Sequence, residues 1–238
     1  MPGKSLNPEK IAQTAEKLSL RIGERFPGSG LYRISRELME LGAKARSEAP
    51  QIARPIYALR IAVGLLIAVI LAILVSLFWV VRDQLAALTG AGFTDIVSAL
   101  EAGTNELILV ALGIFFLISL EARIKRSRVL RAVHELRSIA HVIDMHQLSK
   151  DPGYYRQYSG ATKSSPERSL SLPDLMRYLD YCSELLSLAS KTAALYVQHF
   201  NDPSVLEAVS DVENLCAGLA AKIWQKLQIV ESILESDR

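Results

Sequence analysis

The run Ile61–Val81, "IAVGLLIAVILAILVSLFWVV", holds 21 residues without a charge and is closed by Arg60 and Arg82. At about 1.5 Å per residue a helix of this length crosses roughly 30 Å, the thickness of a bilayer core. A soluble core helix keeps a polar face, and this run has none. It predicts a transmembrane helix, with Trp79 at the interface. A second apolar run, "LILVALGIFFLISL" at 107–120, is shorter. Extended back through Glu106 and Ala102 it predicts a second span at about 104–121, with Glu121 and Arg123 snorkelling at its end.

Charge supports the pair and orients it. Lys44, Arg46, Arg54 and Arg60 precede the first span; Arg123, Lys125, Arg126, Arg128 and Arg131 follow the second. Between them Arg82 stands alone against Asp83, Asp95, Glu101 and Glu106. Bases near spans mark the cytoplasmic side. Both termini are therefore expected in the cytoplasm of a multi-pass cell-membrane protein, the inner membrane if bacterial, with residues 82–103 outside. In that external loop "FTDIVSALEAG" predicts a short helix, with Thr94 as N-cap and Gly103 as C-cap. No signal peptide is visible in the first 56 residues. The net charge of +2 shows no nucleic-acid footprint.

Gly64, Ala68, Ala72 and Ser76 repeat at four-residue spacing in the first span. Small residues on one stripe let helix backbones approach closely in lipid. Packing within the hairpin against the second span, near Gly113, is the expectation; self-association of subunits is the alternative.

The remainder reads as helix throughout. Residues 1–56 form a helical pair: Asn7 and Pro8 open the first helix, Ile11, Ala15, Leu18 and Ile22 mark its apolar face, and "PGSG" at 27–30 breaks the chain. Ile34, Leu38 and Leu41 line the second helix, which Pro50 and Pro55 interrupt. In residues 123–238, Ser171 and Asp174 form a capping box. Leu175, Leu179, Cys182, Leu186, Ala189, Ala193, Tyr196 and Phe200 then step as a heptad seam. A turn at 201–203 with Asp202 as N-cap leads to Val205, Val209, Val212, Cys216, Leu219, Ile223, Leu227, Val230 and Leu234. Two seams and a short turn predict an antiparallel hairpin. The fold class is all-α: a two-span hairpin, residues 57–122, carrying a cytoplasmic antiparallel helical bundle. Residues 149–171 are expected to be a flexible loop. Its Tyr154, Tyr155 and Tyr158, beside several bases, are expected to be solvated, with lipid headgroups or a partner as alternative contacts. The two cysteines are expected to be buried free thiols.

Three of the four histidines fall within "HELRSIAHVIDMHQLSKDP" at 134–152. His134, Arg137, His141 and Asp144 share one stripe, next to the apolar stripe of Val129, Val133, Leu136, Ala140 and Ile143. His134 and His141 are about 10.5 Å apart along the axis, too far for one zinc, and His146 points elsewhere. The stripe is expected to pack on another helix or subunit. A pH- or ligand-sensitive contact through a His141–Asp144 pair is the alternative, and a metal or catalytic site completed by other helices the third reading. No phosphate loop, nucleophile motif or paired-cysteine motif appears.

The resulting expectation is a non-enzymatic membrane protein without cofactors, whose helical bundle mediates assembly or recruits a partner protein. Two spans with a cytoplasmic helical domain resemble, in layout, the two-helix membrane effectors of bacterial conflict systems. That resemblance implies the alternative function, a homo-oligomeric pore or effector; no motif carries residues across.

Overall fold

The computed structural model describes residues 5–87, 93–155, 163, 170–198 and 200–236. Among them the chain is helical and has no strand. Six helices follow in order: α1 (Pro8–Arg25), α2 (Gly30–Ala53), α3 (Tyr57–Ala87), α4 (Phe93–Leu148), α5 (Leu172–Val197) and α6 (Pro203–Ser236). They divide between two compact units, one of residues 1–54 with 126–238, the other of residues 55–125.

The first unit surrounds one apolar core. Its helix starts are capped as local chemistry demands. Asn7 Oδ1 accepts from the N–H groups of Glu9 (2.9 Å) and Lys10 (3.2 Å). Ser29 Oγ accepts from Tyr32 N–H and Ser171 Oγ from Asp174 N–H. Asp202 Oδ1 accepts from Ser204 and Val205. Each bond satisfies an orphan N–H of a first turn. Gly28, with φ of 72°, makes the reversal between α1 and α2.

Helix α5 lies at the centre. Leu175, Leu179, Cys182, Leu186, Ala189, Ala193 and Tyr196 of its seam are all buried, and Phe200 just beyond it is partly buried. Tyr178, Tyr181, Leu185, Leu188, Thr192 and Leu195, outside that seam, are buried too. The reason is that α6 packs on one side of α5 while α1 and α2 pack on the other. Phe26 stands edge-on to Tyr178, with centroids 5.3 Å apart, sealing the α1–α5 contact. On α6, Val205 through Ile223 are buried as the spacing predicts, while Leu227 and Leu234 are only partly covered. The whole apolar stripe of α4, Val129, Val133, Leu136, Ala140 and Ile143, is buried.

Pro50 does not interrupt α2. It lies inside the last turn, and Ala49 and Ile52 on either side of it are buried. Tertiary packing holds the helix through a residue that removes a backbone bond.

The second unit contains the two long apolar helices, α3 and the first part of α4, each long and apolar enough to cross a membrane. Helix α3 extends to Ala87, and α4 starts at Phe93, where a short helix was expected, but passes through Gly103 without a break. Gly103 is thus an interior position of one helix rather than the C-cap of a short one, and Thr94 lies in the first turn of α4. A single glycine costs about 1 kcal/mol in a helix, too little to end one with apolar turns following.

The partly buried positions of α3 are Val63, Ile67, Ile70 and Leu74; those of α4 include Val110, Ile114 and Leu117. Gly64, Ala68, Ala72 and Ser76 face outward. No heavy atom lies within 4 Å of where a Cβ would sit on Gly64 or Gly113. Among the described residues the small-residue stripe thus has no close neighbour, and larger branched residues form the partly buried stripe. Glu121 does not simply snorkel. Its carboxylate accepts from Arg60 Nε (2.6 Å) and the backbone N–H of Ile56 (3.2 Å), and pairs with Lys125 (2.8 Å). This clasp ties the start of α3 to α4.

Candidate functional site

Burying one side of α4 leaves the opposite side to carry its polar residues. His134, Arg137 and His141 are all exposed, and no element covers them among the described residues. Asp144 is half-buried and bonds its own helix, its Oδ1 accepting from Gln147 Nε2 at 2.6 Å. That bond takes one oxygen of the carboxylate expected to pair with His141. His134 lines a shallow groove of about 400 Å³ between α2 and α4, floored by Ile34 and Ile139. Lys44 of α2 meets Glu135 beside it at 3.4 Å. The four residues of the predicted stripe thus share a helix but not an environment.

His146 takes a different place. Its imidazole rests on the first turn of α2, where a Cβ built on Gly30 would lie 2.1 Å from its Cε1. Burial, then the charges of Arg33 and Lys150, hold its pKa below the ordinary histidine value. Neutral imidazole suits the positive end of a helix dipole.

The end of α4 and the middle of α6 form a polar cluster that the sequence reading missed. Lys226 Nζ donates to the backbone carbonyl of Gln147 at 2.7 Å, capping the last turn of α4. Gln147 is buried, and its Oε1 has no hydrogen-bond partner among the described residues. Burial lowers the pKa of Lys226, against the opposing pull of Asp151 and Asp144. Cys182 lies near enough for its charge to be felt, and burial pushes its thiol up to about 12. Lys150 stands over the ring of Tyr178 at 5.6 Å. The only hint in the sequence is that Lys226 borders the apolar seam between Ile223 and Leu227. Its partner, 79 residues earlier, has no local signature.

At the other end of the same helix pair, Arg126 grips Asp202 through Nε (2.7 Å) and a terminal nitrogen (2.6 Å). Asp202 therefore caps α6 and anchors it to α4 at once. Tyr155 is also structural. It lies in a 3₁₀ turn, Pro152–Tyr155, packs against the core and donates its hydroxyl to the carbonyl of Leu170 at 2.5 Å. The expectation of a solvated Tyr155 is corrected by that contact. The side chain of Tyr154, and Tyr158 altogether, lie outside the described residues.

Among the described residues no three His, Cys, Asp or Glu side chains come together as a metal-binding group. Cys216, like Cys182, is a buried free thiol, pushed up to about 11 by burial. Chemically, the cluster can hold a helix end and position neutral or weakly acidic groups. Compared with protein-family models, curated proteins and solved structures, the chain matches none.

Proposed function

We propose that the protein is a non-enzymatic integral membrane protein. In this reading α3 and the first part of α4 form a two-span hairpin, both termini lie in the cytoplasm, and a cytoplasmic helical bundle assembles copies or recruits a partner protein. The observation that carries the reading is the exposure of many large apolar side chains along α3 and the first part of α4. Leu65 is 64 % exposed, Phe78 65 %, Leu107 70 % and Phe115 68 %. Each such side chain left in water forgoes about 1.5–3 kcal/mol of burial, and a bilayer supplies the missing apolar surroundings. Arg82 over the ring of Trp79 (4.9 Å) and Arg123 over Phe116 (4.8 Å) fit side chains placed where lipid tails meet headgroups. The bases flanking residues 61–121 support the orientation.

Recruitment is supported by the exposed ridge of α4, where Arg131, His134, Arg137 and His141 face away from the core with Val142 and Met145 beyond them. A second reading, a homo-oligomeric pore or membrane effector, draws on the unmatched stripe of Gly64, Ala68, Ala72 and Ser76, which offers a close-approach surface to another copy. Mass and composition of the complex extracted in mild detergent test both. A stoichiometric second protein is expected under the first reading, and a ring of fixed copy number under the second. A single chain alone contradicts both.

A further inference from the structure

Helices α1 and α6 each pack on α5 and leave an open groove of about 950 Å³ between them. The groove follows α5 from Asp180 to Lys191, about 16 Å at helical rise, or three turns of an accommodated helix. Ser183 and Ser187, four residues apart on α5, line it. Their small side chains allow a helix to lie close along the four-residue ridge.

The walls are apolar and open. Trp224 of α6 is 62 % exposed, and Leu6, before α1, is 37 % exposed. Ile11 and Leu227 continue the apolar surface beneath them. An indole held on a rigid helix at the rim of a groove is the side chain most often found anchoring protein interfaces.

The charges select the occupant. The acids along the groove are already engaged, Glu184 with Arg21 at 2.7 Å and Asp180 with Arg177 at 3.5 Å. Lys10 and Lys191 line the same groove, and among the described residues neither makes an ion pair; the Lys191 ammonium rests on Ser187 Oγ. The surface left to be matched is apolar in its walls and positive at its rim.

We propose that this groove docks an acidic amphipathic helix of a partner protein, its apolar face on Leu6, Ile11 and Trp224 and its carboxylates on Lys10 and Lys191. The mode is helix-in-groove, with anchors at i, i+3 or i+4, and i+7. It rests on the reading of this unit as a recruitment module.

The test uses the full chain in mild detergent with Trp79→Phe, which leaves Trp224 as the only tryptophan. The probe is a displayed library of amphipathic helices with a fixed apolar face and flanking positions randomised between Glu and Lys. Selection is expected to enrich Glu over Lys, and the selected peptides should move Trp224 emission to the blue. Affinity should fall at least tenfold in Trp224→Ala. The double variant Lys10→Glu/Lys191→Glu should prefer the Lys-rich helices; both variants change exposed positions, and circular dichroism confirms their fold. Selected helices without charge bias, or indifferent to Trp224→Ala, overturn the proposal. So does a Trp224 shift produced by anionic phospholipid vesicles but by no selected helix, or one that tracks only dimerisation of the chain. A partner that co-purifies equally with Trp224→Ala sinks the groove while leaving the recruitment reading intact; a wild-type chain extracted alone sinks the reading itself.

Discussion

At the scale of single residues, Gly30 and His146 form the most diagnostic pair. Alanine is worth up to about 1 kcal/mol over glycine inside a helix. At Gly30, however, the added methyl would occupy the position of the His146 ring. Gly30→Ala is therefore expected to lower stability in the wild-type background and to raise or leave it unchanged when combined with His146→Ala. Such non-additivity marks a contact. The exposure of Cys182 to a thiol reagent during heating reports it, because that thiol is fully buried in the fold. The same readout tests the titration of His146. Its folded pKa lies below the unfolded value near 6.5, so the unfolded chain binds the proton more readily. The stabilisation is present above about pH 6.5 and is lost as pH falls through the folded pKa. Thermal midpoints should drop more steeply from pH 7.5 to 5.5 in wild type than in His146→Gln; parallel profiles would contradict the contact. Local signals such as Asn7, Ser171 and Asp202 are readable from sequence because capping partners lie two or three residues away. The Lys226–Gln147 bond and the His146–Gly30 contact join distant parts of the chain and leave no local pattern.

At the scale of elements, α5 shows what periodicity reveals and what it hides. One seam was legible, since α6 follows directly and demands a matching stripe. The second buried face, with Tyr178, Tyr181, Leu185 and Leu195, was not, because its partners α1 and α2 lie far away in the chain. Leu186→Ala at the centre is expected to cost about 2–5 kcal/mol by cavity formation, seen as early Cys182 labelling. Pro50 offers the opposite change. It denies α2 one backbone bond in its last turn, so Pro50→Ala is expected to raise the thermal midpoint of the same labelling, by up to about 3 kcal/mol in stability. A lowered midpoint would mean that the ring itself is needed in the packing. Helix α4 was read as two pieces: Gly103 looked like the C-cap of a short helix, while the apolar turns after Glu106 carry one helix through it.

At the scale of the molecule, the two units follow two solvation regimes. Among the described residues, most large apolar side chains of residues 1–54 with 126–238 turn inward to one core, while most of those in residues 55–125 are exposed. Composition made the outward set legible, because an uncharged run of this length has few alternatives to lipid. The outward direction of the small stripe of α3 was not legible, since sequence shows that Gly64 and Ala68 share a face but not where that face points. The proposed anchor crosses the membrane twice and keeps both termini on one side. Single-cysteine labelling of the full chain with a membrane-impermeant maleimide tests it most directly, because Cys182 and Cys216 are buried and their thiols remain protonated at neutral pH. In intact cells Ala91→Cys, between α3 and α4, is expected to react, and Ser138→Cys, exposed on α4, only after permeabilisation. Labelling of Ser138→Cys from outside while Ala91→Cys is protected would reverse the orientation. Equal labelling of both positions, in a protein released by alkaline carbonate, would contradict the anchor altogether.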